Sequence, residues 1–186
     1  MQALKQYIEQ YTLLNNEDWL LISSKFEQTT VKANSYLLQE GKVCRHLYFL
    51  EAGLLRYFIT KDGKEINKFF TVAPYCCTSQ VSFTSGLPAT ENIQALEDCV
   101  VWRINLQSAN ELLALTSWNT FIRKLIQQVQ SYTENILQEL QTSTAETRYK
   151  KMLESNPELL QRVPLKHLAS YLGIAAPSLS RIRKKK

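Results

Sequence analysis

The sequence has few of the side chains from which enzyme and metal sites are usually built. Its 186 residues include two histidines, His46 and His167, and four cysteines without Cys-x-x-Cys spacing. Metal sites need several such ligands at regular intervals, so we predict no metal site. The sequence also lacks a Gly-rich phosphate-binding loop and any readable Ser/His/Asp or Cys/His arrangement. We therefore predict that the protein is not an enzyme.

Long hydrophobic runs are absent as well. No apolar run approaches the roughly 20 residues that cross a bilayer, so we predict no membrane partner. The opening stretch MQALKQYIEQYTLLNNEDW is polar and lacks the hydrophobic segment of a signal peptide. These features predict a cytoplasmic protein with reduced cysteines. A redox role for the adjacent Cys76 and Cys77 is the alternative.

Positive charge is scarce in most of the chain and concentrated at its end. Residues 143–186 contain ten Lys or Arg and three Glu, whereas residues 1–142 are slightly acidic. The net charge of the chain is +5. This distribution predicts a polyanionic partner for the C-terminal part only.

Residues 116–142 contain neither glycine nor proline, which indicates one long helix. Large side chains recur there at alternating intervals of four and three, the spacing of a heptad seam. The neighbouring Phe121, Ile126, Leu137 and Leu140 widen this stripe, so we expect the helix also to pack on its own chain. We interpret it as a dimerisation helix; a long core helix of a monomer is the alternative. The seam residues are Trp118, Ile122, Leu125, Val129, Tyr132 and Ile136.

Before that helix, the pattern changes from helical to β. Residues 2–27 have apolar positions at helical spacing, and Asn16 is positioned to cap a second short helix. From Thr29 onward, short β-branched and aromatic runs alternate with turn residues, and Asp62-Gly63 marks a hairpin. Short strands without intervening helices are typical of a sandwich or roll.

Residues 74–92 interrupt the β pattern, because they are rich in Ser and Thr and show no strand periodicity. Long irregular inserts in compact domains are often functional. Backbone N–H groups, hydroxyls and the Gln80 amide could bind a small-molecule effector here. An ordered connection without a ligand is the alternative. The candidate pocket residues are Cys77, Thr78, Ser79, Gln80, Ala89, Thr90 and Glu91.

The last part of the chain has the spacing of a helix-turn-helix. A capping box of Ser143 and Glu146 predicts the start of a helix. Further on, Pro164 opens a predicted helix, Gly173 permits a tight turn, and Pro177 starts a second helix. A helical hairpin with a solvated basic tail is the alternative. The apolar anchors of the pair are Leu165, Leu168, Ala169, Leu172, Ile174, Leu179 and Ile182.

Together these features resemble the catabolite-activator/Fnr (Crp/Fnr) family of bacterial transcription regulators over nearly all of residues 20–186. RYKKML followed by Pro-Leu-Lys-His-Leu-Ala is similar to a subgroup of the Bacteroidetes lineage. The resemblance implies an α+β fold with a cyclic-nucleotide-binding-like β-roll sensor (1–115), a dimerisation helix (116–142) and a helix-turn-helix DNA-binding domain (143–186). The residues that carry it are Gly41, Tyr48-Phe49-Leu50, Gly53, Asp62-Gly63, ENIQALEDCVV, the heptad helix and LKHLASYLGIAAPSLSRIRK.

The sequence departs from the family where the cyclic phosphate would bind. Nucleotide-binding members have a Gly-Glu pair followed by an arginine that neutralises the phosphate. Thr78-Ser79 and Ala89 stand at the matching positions here, and no Arg or Lys lies between Lys68 and Arg103. The charge-assisted hydrogen bonds lost would each contribute roughly 1.5–3 kcal/mol. We therefore predict a degenerate domain that does not respond to cyclic AMP.

The resemblance implies double-stranded DNA with a palindromic operator, a homodimer and RNA polymerase as partners. The β-hairpin wing that usually follows the helix-turn-helix is missing, and Ala176 and Pro177 replace polar base readers, so we expect readout by Ser178 and Arg181. A dimeric ligand-sensing or protein-interaction module without specific DNA binding is the alternative. The predicted DNA-binding residues are Lys166, His167, Ala176, Ser178, Ser180, Arg181, Lys184 and Lys185, with His167 expected on the surface or at a phosphate.

Overall fold

The computed structural model describes residues 1–184 and begins with two short helices that pack on a β-roll. Helix α1 (Gln2–Glu9) buries Leu4, Tyr7 and Ile8. Helix α2 (Asn16–Ser24) is capped by Asn15, whose side chain accepts the Asp18 N–H at 2.7 Å. The predicted cap, Asn16, is therefore wrong by one residue, because either asparagine fits the pattern of helix starts.

In the described part of the chain, eight antiparallel strands form two four-stranded sheets, ordered β1-β8-β3-β6 and β2-β7-β4-β5. The prediction of a sandwich or roll is confirmed. Asp62 and Gly63 form the β4–β5 turn with φ of 51° and 72°, as expected for a two-residue hairpin. The strands are β1 (Glu27–Val31), β2 (Tyr36–Leu38), β3 (His46–Ala52), β4 (Leu54–Lys61), β5 (Lys64–Val72), β6 (Tyr75–Cys77), β7 (Asn92–Ala95) and β8 (Cys99–Asn105).

Residues 74–92 are more regular than their sequence indicates. They contain strand β6, which pairs with β3, and helix α3 (Gln80–Ser85), which ends at Gly86 with φ of 73°. The expectation of an irregular insert is wrong, because both elements are too short to show a period.

Of the six α-helices that remain in residues 1–184, one precedes the long helix and four follow it. Helix α4 (Leu106–Glu111) and a 3-10 turn (Leu112–Ala114) lead into α5 (Thr116–Thr142), whose bounds match the predicted helix. Thr144, not the predicted Ser143, caps the next helix. Each proline lies one residue from its predicted place at the first position of a helix: Pro164 precedes the helix that begins at Leu165, and Pro177 is the second residue of the helix that begins at Ala176. Within residues 1–184, no helix combines the length and apolar character of a membrane span. The last helices are α6 (Ala145–Ser155), α7 (Pro157–Arg162), α8 (Leu165–Leu172) and α9 (Ala176–Lys184).

Two apolar clusters hold these elements together. The larger one fills the roll and extends to Trp118, Phe121 and Leu125 of α5. The smaller one joins the C-terminal helices to the β4–β5 hairpin, and it includes Leu54 of β4 and Leu168 of the C-terminal part. The C-terminal helices are therefore attached to the roll by a shared core.

Gly53 allows the β3–β4 turn and a close contact with β8. Its φ is +111°, and a Cβ there would lie 2.4 Å from Cys99 Sγ. We expect Gly53→Ala to lower the free energy of unfolding by about 2–4 kcal/mol, because backbone strain and overpacking add. Gly63→Ala is the control, since its φ of +72° is also strained but its surroundings are open. Urea denaturation of both variants would measure this, and equal losses would refute the contact.

Candidate functional site

The predicted pocket segment is held to the roll by its own hydroxyl groups. Thr78 Oγ1 donates to the His46 carbonyl at 2.9 Å. Ser82 Oγ accepts the Cys44 N–H at 2.9 Å and donates to the Leu87 carbonyl at 2.6 Å. These hydroxyls fix the segment on β3 and around α3.

Three backbone N–H groups of the segment already have hydrogen-bond partners. The Phe83 and Gly86 N–H groups bond to carbonyls of the same segment, and the Ala89 N–H bonds to the Lys42 carbonyl at 2.9 Å. These three N–H groups are therefore not available to a ligand in this conformation.

The seven predicted pocket residues divide into buried and exposed positions. Cys77, Ser79 and Ala89 are buried, whereas Gln80 and Thr90 are exposed. Burial raises the pKa of the Cys77 thiol to about 12, although a hydrogen bond with Tyr57 partly opposes this. The thiol thus stays protonated at neutral pH, which argues against the redox alternative. The residues do not form one polar surface.

Sequence reasoning missed Lys68 at this segment. Its Nζ lies 2.5 Å from Oε2 of Glu91, and the Glu91 side chain is largely buried. Tyr57 pairs with Phe69 and Phe58 pairs with Asn67, so Lys68 is the extra residue of a β-bulge. Strand alternation therefore could not have predicted where its side chain points. The first cation upstream of the segment is already neutralised by the segment's own carboxylate.

The apolar stripe of α5 is divided between two surfaces. Trp118 and Leu125 of the predicted seam are buried in their own chain, and Trp118 Nε1 donates to the Ala109 carbonyl at 3.1 Å. Ile122, Val129 and Ile136 are half-buried, and Tyr132 is 48% exposed. The prediction that all six seam residues form one exposed surface for a partner is therefore wrong.

The residues assigned to packing on their own chain are mostly the exposed ones. Phe121 is buried, but Ile126, Leu137 and Leu140 are 47%, 57% and 54% exposed. Together with Ile122 and Val129 they follow helical spacing along one side of α5. We call these five residues, Ile122, Ile126, Val129, Leu137 and Leu140, the outer stripe.

His167 corrects a prediction, because it is 7% exposed and faces the roll. Its Nδ1 lies 3.0 Å from Arg56 Nη1, and Arg56 is itself 3% exposed. Arg56 also donates to Gln94 Oε1 at 2.7 Å and to Glu65 Oε2 at 2.6 Å. In this conformation His167 is not available to a phosphate.

The charge state of His167 follows from this environment. Burial, together with the nearby charges of Arg56 and Lys166, lowers its pKa to about 4, and Glu65 partly opposes them. At neutral pH the imidazole is therefore uncharged, and its Nδ1 accepts a hydrogen bond from Arg56 Nη1.

Helix α9 presents most of its predicted DNA-binding residues at the surface. Arg181 and Lys184 are exposed, and Ala176, Ser178 and Ser180 are half-buried. An open depression of about 670 Å³ is lined by Ala176, Pro177, Ser180, Arg181 and Lys184. Lys166 on α8 is also exposed, and Lys185 lies outside the described residues.

Acid should destabilise the protein through His167. Its folded pKa of about 4 lies below its ordinary 6.5, so the unfolded chain takes up the proton first. The contribution of His167 to the free energy of unfolding is complete above about pH 6.5. It falls by about 2–3 kcal/mol as the pH falls towards 4. Urea unfolding between pH 7 and 4 would measure this. His167→Gln should lack this component, and an unchanged pH dependence in that variant would contradict the assignment.

Comparisons with known proteins agree with the arrangement of the roll. Residues 28–115 match the family model described as the cyclic nucleotide-binding domain. No curated protein matches the sequence.

Solved structures extend the likeness to 86–92% of the chain. FixK2 from Bradyrhizobium japonicum has a TM-score of 0.72 at 16% identity, covering 86% of this chain and 83% of that one. A protein assigned to the Crp/Fnr family from Eubacterium rectale also has 0.72, at 18% identity over 92% and 83%. CLP from Xanthomonas campestris, described as a c-di-GMP responsive global regulator, has 0.68 at 14% identity over 92% and 91%. The chain therefore has the fold of these regulators, with a roll similar to cyclic nucleotide-binding domains.

Proposed function

We propose that the protein is a dimeric, DNA-binding transcription regulator whose sensor domain does not respond to cyclic AMP. The observation that carries the proposal is the exposed basic face of α9. The helix sequence APSLSRIRK contains no acidic residue, and Arg181, Arg183 and Lys184 are exposed on it. Positive charge on an exposed helix suits the phosphate backbone and the major groove.

The contact between α8 and α9 is consistent with a helix-turn-helix. Leu172 and Leu179 are buried between the two helices, and Gly173 takes φ of 71° in the turn. Arg148 Nη2 donates to the Leu172 carbonyl at 2.7 Å, which satisfies the end of α8. Leu179 faces inward, whereas Arg181 is exposed and, within residues 1–184, its side chain hydrogen-bonds only to Ser178, at 3.4 Å. We expect Arg181 to bond a guanine edge while Lys184 and Lys166 contact phosphates.

A second copy of the chain is the proposed partner of the outer stripe. An apolar row on a long exposed helix is stabilised when the same row of a twofold-related copy covers it. The two α9 helices would then enter successive major grooves about 34–36 Å apart, so the operator is expected to be palindromic.

The charges near residues 74–92 argue against a cyclic phosphate. Lys68 is paired with Glu91, so an incoming phosphate would meet a largely buried carboxylate without a free ammonium. CLP is described as responsive to c-di-GMP, which illustrates that this fold serves different effectors. We propose a neutral effector, whose binding shifts the position of α5 and so the spacing of the α9 helices.

Leu137→Asp should convert the dimer to monomers. A carboxylate would be buried in each half of the outer-stripe interface without a partner. We expect the dissociation constant of the dimer to rise by about a hundredfold or more. Gln127→Asp is the matched control, because Gln127 is exposed away from the stripe. Analytical ultracentrifugation would measure both, and a Leu137→Asp variant that stays dimeric would refute this interface.

Arg181→Ala and Lys184→Ala should affect DNA binding differently. Removing a base-reading arginine relaxes preference at one position by about 1–3 kcal/mol. Removing a phosphate-binding lysine weakens binding to all duplexes alike. It also lowers the slope of log affinity against log salt concentration by about 1.

The measurement is fluorescence anisotropy with a pool of random duplexes at several salt concentrations, followed by sequencing of the bound fraction. An enriched palindrome in the wild type supports the proposal. Steep salt dependence without enrichment would instead favour a ligand-sensing module without specific DNA binding.

A further inference from the structure

Helix α8 lies against β5, which is the edge strand of its sheet. Ser170 Oγ accepts the Asn67 N–H at 3.0 Å and donates to the Glu65 carbonyl at 2.9 Å. One hydroxyl thus satisfies two backbone groups that a further strand would otherwise pair. This contact fixes the position of α8 along the strand.

The neighbouring strands hold α8 at a second point. Arg56 on β4 contacts His167, and its guanidinium carbon lies 3.9 Å from the centre of the Phe58 ring. Gln94 on β7 orients Arg56 from the other side at 2.7 Å. Since each partner is largely buried, a change at Gln94 alters the position of Arg56 and therefore of His167.

Both contacts lead back to the predicted effector segment. Lys68, which pairs with Glu91, is the residue next to Asn67, whose N–H bonds to Ser170. Strand β7 starts at Asn92, directly after Glu91, and carries Gln94. Neither connection includes a residue of α5, although Tyr171 of α8 and Tyr132 of α5 line the same depression.

We propose that β5 and β7 couple residues 74–92 to α8 within one chain, with Ser170 and Arg56 as positioning residues that fix the orientation of α9. This inference rests on the proposed function and adds a second connection to the one through α5. In a dimer, a fixed α9 orientation on each chain sets the distance between the two recognition helices. Loosening the α8 contact should therefore relax the required spacing between half-sites without changing the binding of a single half-site.

The first experiment is hydrogen exchange of the full chain without DNA. Ser170→Ala should speed exchange in β5 and α8 by about three- to tenfold, as expected for one lost hydrogen bond. Lys68→Met does not touch α8 but should also speed exchange there. Ser155→Ala is the control, because that exposed hydroxyl bonds only within its own helix, to the Lys151 carbonyl. If Lys68→Met leaves α8 unchanged while Ser170→Ala does not, the coupling through β5 is refuted.

The second experiment measures affinity for the selected palindrome, for the same palindrome with one base pair inserted at its centre, and for a single half-site. We expect the wild type and Ser155→Ala to lose about tenfold on insertion and Ser170→Ala to lose less than about threefold, because geometry sets half-site spacing. Half-site affinity should be equal in all three. Equal spacing penalties would overturn the positioning role.

The outcome that refutes the proposed DNA-binding function differs from the outcome that refutes the coupling. A wild type that selects no palindrome removes the DNA-binding proposal, and the exchange experiment then still decides whether residues 74–92 and α8 are coupled.

Discussion

The burial of Arg56 is the constraint on which the attachment of the C-terminal helices depends. A guanidinium that is 3% exposed must have its N–H groups bonded, or it destabilises the fold strongly. Gln94 and Glu65 supply two acceptors from the roll, and neutral His167 supplies another from α8. Without α8, Arg56 would lose both its cover and this acceptor. The apolar residues around it, such as Leu54 and Phe70, would also lose their cover.

Local features could be predicted from the sequence because neighbouring residues determine them. The Asp62-Gly63 turn, the strands on either side of it and the bounds of α5 all follow from turn chemistry and periodicity. Periodicity also predicted a wide apolar stripe on α5. It could not predict which edge of that stripe faces the chain's own core, because both edges have similar residues. The exposed Leu137 and the buried Leu125 are the same residue type in opposite environments.

The features that sequence reasoning missed depend on contacts between distant residues. Ser170 and Asn67 are separated by 103 positions, and Arg56 and His167 by 111. No local pattern marks such pairs, and a basic C-terminal segment suggested that His167 would meet solvent. Lys68 was missed for a local reason, because a bulge at that residue breaks strand alternation. The likeness to known regulators indicates the fold but not these side-chain contacts, because the three structures compared are only 14–18% identical in sequence.

The cover that α8 provides for β5 also has a consequence for solubility. Strand β5, with nine residues, is longer than the other three strands at sheet edges, β1, β2 and β6. A long uncovered edge is a template on which another chain can add a strand, which is how many proteins begin to aggregate. Large separation of the C-terminal helices from the roll would expose that template. Movements of the C-terminal helices that avoid aggregation are therefore small shifts that keep the β5 edge covered.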